Sequence, residues 1–295
     1  FARVYLLDKY GNRDVLYSGY DIPGVSDLRV VGPMPYRPRK QPPVVPTATW
    51  QGERQNAQVP CATISVVNIY ESDFSWPDDV EITSLRVIQH IPKPWSSPVS
   101  DKPKIGYSRS PTARVVLGTV PVESDGSVYF EAPVERLIYF QALDAQGMAI
   151  QSMRSGTYVH PGEQLSCVGC HEDKWAAPRP RGIPLAMRRA PSKLKPEVGG
   201  VEPINFHRLV RPVLERKCVG CHEDQSQVPD FSYNSLEPYA FYFHADGGAN
   251  HMSRLHGGSR TIAGKFGARY SRLVRDGYLL PQHYGVDLTA DELRR

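Results

Sequence analysis

No apolar run in this chain approaches the ~18 residues that a membrane-spanning helix needs. Charge of one sign is scarce as well. The 35 Lys and Arg and 31 Asp and Glu leave a net +4 over 295 residues, too small and too dispersed to argue for a nucleic-acid partner. With 40% hydrophobic and 22% charged residues, the composition is ordinary for a globular protein and excludes wholesale disorder. The length exceeds one average domain, so two domains are expected. Proline runs the other way. There are 27 of them, well above the usual ~5%, so many turns and few long helices are expected. Cysteine is sparse, with five residues, and their placement is the informative feature.

Four of the five fall in two copies of one heptapeptide. Cys167-Val-Gly-Cys170-His171-Glu172-Asp173 recurs as Cys218-Val-Gly-Cys221-His222-Glu223-Asp224. Cys-x-x-Cys-His is the attachment signature of c-type haem. Two thiols at this spacing reach the two vinyl groups on one porphyrin edge and form thioethers. The next residue then lies under the iron, where its imidazole is the proximal ligand. Two other readings stay open. A Cys₄ zinc ribbon also uses two Cys-x-x-Cys knuckles, but these usually lie ~15–20 residues apart, and here residues 171–217 separate them. Two disulfides are the other reading, if the chain is secreted. A thioredoxin-like pair would need one Cys-x-x-Cys near a βαβ pattern, which is absent. The fifth cysteine, Cys61, opens an apolar, β-branched run and is expected to be a buried strand thiol.

Four regions follow from pattern. Residues 1–45 begin with a hairpin, Val4–Leu7 and Val15–Tyr17 about a Lys9–Asn12 turn, and continue into a Pro-rich connector. Residues 46–173 are expected to form a β-sandwich-like domain ending in the first Cys-x-x-Cys-His motif. Strands are expected at Ile64–Tyr70, Ile82–Gln89, Arg114–Val122, Ser127–Ala132, Leu137–Leu143 and Met148–Met153, with turns at Ser124-Asp-Gly126 and Asp144-Ala-Gln-Gly147. Residues 174–203 are a Pro-rich, basic linker or docking strip. Residues 204–295 are expected to be a small, mostly α cytochrome c-like domain. In it, Phe206, Val210 and Leu214 mark a helix running into the second motif, kinked or started by Pro212. Thr289-Ala-Asp-Glu292 is a capping box, the start of a helix. The chain stops soon after it and opens on Phe1 without a signal-peptide pattern. A fragment, truncated within the C-terminal domain, is therefore expected. The fold class is β + α multidomain.

Val116–Phe130, Phe140-Gln-Ala-Leu-Asp144, Pro161-Gly-Glu163 and the first motif together resemble the middle domain of the hydrazine synthase α-subunit family. So do Gly258–Gly264, Phe266-Gly-Ala268 and His283–Leu288. The resemblance covers nearly the whole chain. It implies that residues 1–30 are the last strands of a preceding β-propeller and that a helical cytochrome domain follows the middle domain. In hydrazine synthase the first motif's histidine binds zinc, and a tyrosine four residues later ligates the haem iron. Here that position is Trp175, which has no oxygen to give to iron, so His171 is expected to ligate iron in the ordinary manner.

The expected cofactors are two covalently bound haem c, held by Cys167, Cys170 and His171 and by Cys218, Cys221 and His222. Distal candidates for the second haem are His244, His251, His256 and His283, of which the resemblance implies His283. For the first haem, His160 and His90 are the nearest candidates in sequence, and a plain β-surface role competes with each. His207 is expected to be solvated, as are the acids flanking the motifs. Two functions compete. One is an electron-transfer module serving a redox partner protein. The other is a haem oxidoreductase of small nitrogen compounds with an open first haem. Haem attachment of this kind takes place outside the cytoplasmic membrane, so a periplasmic location is expected. A homo- or hetero-oligomer is compatible with either function.

Overall fold

In a computed structural model, the described residues are 3–18, 32–34, 36–44, 61–92, 112–153, 155–172, 175, 182–222, 230–236, 239, 262–265, 267–277, 279 and 283–295. Two compact units are present, Phe1–Pro46 and Thr47–Arg295.

The first unit holds one antiparallel hairpin, β1 (Arg3–Leu7) and β2 (Arg13–Ser18), with a register shift between Val4 and Tyr5. Its turn is built by Asp8. That carboxylate accepts from the Tyr10 and Asn12 backbone N–H groups at 2.8 and 2.9 Å, an Asx-type turn that substitutes for backbone pairing. The strands match the expected hairpin.

The second unit is mostly sheet. One sheet has the order β6-β3-β9 and the other β5-β4-β7-β8. Its strands are β3 (Cys61–Val66), β4 (Ser84–Ile91), β5 (Ala113–Pro121), β6 (Val128–Pro133), β7 (Ile138–Leu143), β8 (Ala149–Ser152) and β9 (Gln164–Cys167). Alternation dictates the faces. Ala62, Ile64 and Val66 on β3 and Val128, Phe130 and Ala132 on β6 are buried, as a period of two requires for one covered face. They join Leu85, Val87, Leu117, Val120 and Ile138 of the other sheet in a single core. Phe130 meets Phe140 across it, edge to face at 5.9 Å.

The six expected strands are present, each shifted by one to four residues at one or both ends. The seventh strand, β9, was not anticipated. It is four residues long and pairs in parallel with β3 from Thr63↔Gln164 to Val66↔Cys167. Cys61 is the first residue of β3 and is half-exposed rather than buried, because it sits at the strand's end opposite Pro133.

Residues 182–204 run along the sandwich. Thr119 and Lys195 exchange two backbone hydrogen bonds of 2.9 Å, and Ser192 bonds Tyr129 and Glu131. Gly118 permits this approach, since a Cβ there would stand 2.6 Å from the Lys195 carbonyl oxygen. Arg86 clamps the strip through Glu197 at 2.8 Å.

The helix expected over 204–222 is three short pieces, α1 (Phe206–Leu209), α2 (Arg211–Lys217) and α3 (Val219–His222). Pro212 occupies the first turn of α2, where its missing N–H costs nothing and its ring would clash with a preceding turn. Asn205 caps α1 through the Arg208 N–H. Further on lie α4 (Gly267–Tyr270), α5 (Arg272–Arg275) and α6 (Ala290–Leu293). Thr289 and Glu292 form the expected capping box on α6. Arg269 ties α4 to the sandwich through buried Asp144 at 3.0 Å. Among the described residues, no helix is long and apolar enough to cross a membrane.

Candidate functional site: two Cys-x-x-Cys-His motifs on different backbones

The Cys-Val-Gly-Cys-His pentapeptide shared by the two copies adopts two conformations. The first copy leaves β9 at Cys167 and turns, whereas Val219–His222 of the second copy is helical.

The loop after β3 grips the first copy. The Val67 and Asn68 N–H groups donate to the Cys167 and Val168 carbonyls at 2.9 and 3.1 Å. Further along, the Cys170 N–H donates to Glu71 O at 3.0 Å, and the Asp73 N–H donates to His171 O at 3.1 Å. Gly169 is required here, because a Cβ would overlap the Glu71 carbonyl oxygen. His171 has φ +64, a left-handed conformation that is uncommon without glycine. Its ring is exposed, and its Nδ1 lies 3.1 Å from Asp73 Oδ1. A carboxylate only accepts, so Nδ1–H is the donor in this contact.

Cys167 and Cys170 pack against the sandwich core. Burial, with Glu172 nearby, raises both thiols, Cys170 to about 12. The uncharged form of sulfur is favoured there. The loop after β3 also carries an aromatic group, with Trp76 against Phe74 at 5.0 Å and against Tyr70 at 5.9 Å.

The second copy is presented by helices. The Cys218 N–H closes α2 onto Leu214 O at 2.8 Å, and burial, then Cys221, raises the Cys218 thiol. Cys221 is exposed. His222 packs edge-on against Phe231 at 5.2 Å. It also faces His283, with ring centroids 6.0 Å apart and planes inclined by 30°. His222 Nδ1 is buried without a hydrogen-bond partner. His283 opens a 3-10 turn, His283–Gly285, in which Tyr284 has φ +45. That loop is fastened to the helix leading into the motif. Lys217 Nζ donates to Asp287 O at 2.8 Å, Arg216 reaches Glu292 at 3.2 Å, and Lys217 lies 3.8 Å from Glu292. The Thr289 backbone N–H, then Arg216, holds the Glu292 carboxyl below its usual range.

The structure thus brings His222 and His283 together. His244, His251 and His256 lie outside the described residues, as do Asp173, Glu223 and Asp224. His90 is engaged in the sandwich, bonded to Thr112 at 2.9 Å and lying 4.9 Å from the Tyr139 ring. The His160 ring meets Tyr158 at 5.1 Å. His207, Glu172 and Trp175 are exposed. Sequence reasoning missed Asp73 and Lys217. No local pattern connects residue 73 with residue 171, and Lys217 carried no signal beyond its place before Cys218.

The 6.0 Å separation of the two ring centroids is what two imidazoles sharing one metal ion would need, two bonds of ~2.0 Å plus ~1 Å on each side from ring nitrogen to ring centre, and with the neighbouring motif thiols this donor set would fit a covalently held haem.

Comparison with known proteins agrees with the fold. Residues 80–172 match the family described as "hydrazine synthase alpha subunit middle domain". No curated protein matches the chain. Among solved structures, hydrazine synthase of Kuenenia stuttgartiensis is similar with a TM-score of 0.54 and 19% identity. The likeness covers 80% of this chain and 41% of that one, so this chain spans less than half of that relative's length. At that identity the likeness speaks for the fold alone. Residues 80–172, from the loop before β4 to just past the first motif, are thus similar to the hydrazine synthase α-subunit middle domain, the family that this part of the chain resembles.

Proposed function

We propose that the chain is a dihaem c-type cytochrome that passes electrons in the periplasm to a redox partner protein, in which residues 204–295 form the cytochrome c-like part. Haem supplies a one-electron iron couple when bound. Cys167 and Cys170 would hold one haem and Cys218 and Cys221 the other, with His171 and His222 as proximal ligands and His283 opposite His222. The observation that carries this reading is the His222–His283 pair, whose ring centroids are 6.0 Å apart and whose first member is the histidine of a Cys-x-x-Cys-His motif.

Two strong axial ligands suit electron transfer, because they leave iron no open position. His222 and His283 would fix the iron from both sides, and Lys217 would keep the His283 loop in place. The relative's name describes one subunit of a larger enzyme, and association with further subunits belongs to this proposal.

A second reading rests on a different observation. Residues 80–172 match a hydrazine synthase domain, and no second histidine lies against His171 among the described residues. An open first haem would then act on small nitrogen compounds, with the second haem as relay. Electron paramagnetic resonance of the oxidised holoprotein separates the two. Only low-spin iron is expected for electron transfer. A high-spin signal altered by nitric oxide, hydroxylamine or cyanide would move the assignment to the oxidoreductase.

A further inference from the structure

The two motif histidines differ in what their Nδ1 atoms meet. His222 Nδ1 is buried without a hydrogen-bond partner, whereas His171 Nδ1 faces the Asp73 carboxylate at 3.1 Å. We propose that Asp73 is a positioning residue for the first haem, one that sets the orientation and donor strength of His171 and thereby lowers that haem's midpoint potential. The inference rests on the haem reading above.

The contact is built from both sides. The Asp73 backbone N–H donates to His171 O, and Glu71 O accepts from the Cys170 N–H. These two bonds bring residue 73 beside residue 171 before any side chain is considered. The left-handed backbone of His171 and the overlap that any side chain at Gly169 would make with Glu71 leave the motif little freedom to turn away. Asp has a short side chain with few rotatable bonds, so the carboxylate is confined near Nδ1.

The electronic consequence follows from the proton's position. With Nδ1–H donated to a carboxylate, the tautomer is fixed and Nε2 is the nitrogen left for iron. Partial negative charge passed into the ring makes Nε2 a stronger donor, as carboxylate partners do for metal-bound histidines in general. A stronger donor and a nearby negative charge both favour Fe(III) over Fe(II). One electron enters on reduction and the proton stays on Nδ1, so no further reactant is needed. The second histidine has no such partner among the described residues, which makes the second haem an internal reference.

The test is a spectroelectrochemical titration of the full dihaem chain as wild type, Asp73→Asn and Asp73→Glu, with a pyridine haemochrome spectrum of each. Asparagine keeps the size and removes the charge, and glutamate restores the charge. The expected result is two midpoints, of which one rises in Asp73→Asn and returns toward the wild-type value in Asp73→Glu, while the other stays in place. A purely structural aspartate would change thermal stability and leave the midpoints alone. Two unmoved midpoints, two that move together, or one that falls would overturn the role of Asp73. Absence of thioether-linked haem in the wild-type spectrum would overturn the cofactor reading itself, an outcome distinct from a bound haem with an unmoved midpoint.

Discussion

His222 and His283 stand with ring centroids 6.0 Å apart, and Lys217, in the helix leading into the second motif, holds the loop that carries His283. The two imidazoles therefore belong to one mechanical unit although they are far apart in sequence. His222 is placed by α3 and Phe231, and His283 is placed by a tether to the preceding helix.

Replacing His283 tests that unit. In His283→Ala, the second haem is expected to lose its sixth ligand and change from low-spin to high-spin, with added imidazole restoring the low-spin spectrum. An unchanged low-spin spectrum would show that another residue ligates the iron.

The tether depends on pH. The Glu292 carboxyl is held below its usual value of 4.5, chiefly by the Thr289 N–H and then by Arg216. A carboxyl lowered in the folded state adds stability that is fully present above its unfolded pKa and lost as the pH falls through the lower folded value. An acid titration should therefore leave the second haem low-spin down to about 4.5, with high-spin iron growing in below that. In Glu292→Gln, high-spin iron is expected already at neutral pH. Identical titration curves for the two proteins would contradict the tether.

The two motif glycines should respond oppositely to alanine. A Cβ at Gly169 overlaps Glu71 O, while a Cβ at Gly220 meets nothing within 4 Å. Gly220 lies in α3, where alanine is favoured over glycine by up to ~1 kcal/mol. Gly169→Ala is expected to lower the melting temperature of the holoprotein, and Gly220→Ala to leave it unchanged or raise it. Equal losses would mean that the two copies share one backbone after all.

Thiol reactivity offers a further check on chain prepared without haem. Alkylation proceeds through the thiolate. Cys170, raised to about 12 by burial, should react with iodoacetamide far more slowly at pH 8 than exposed Cys221. Peptide mass spectrometry resolves the order, and faster labelling of Cys170 would contradict its burial against the sandwich core.

The strands were legible because a covered sheet face imposes alternation, which Val128, Phe130 and Ala132 display without interruption. β9 was not. Gln164–Cys167 is short, lacks β-branched residues, and owes its strand character to parallel pairing with β3. The heptapeptide repeat was legible as chemistry but silent on conformation, since identical residues form a clamped turn in one place and a helix in the other. His283 followed from a family resemblance, and the tether behind it needed the fold. Asp73 was invisible for the same reason: it meets His171 only because β3 and β9 lie side by side, bringing the ends of both strands together.

The central claim is that the four motif cysteines carry two haems. The intact mass of the chain, matured in a host that attaches haem c and then denatured, tests it most directly. The account predicts the polypeptide plus two haem groups, one lost in Cys218→Ala/Cys221→Ala and the other in Cys167→Ala/Cys170→Ala. A wild-type mass equal to the bare polypeptide would contradict it.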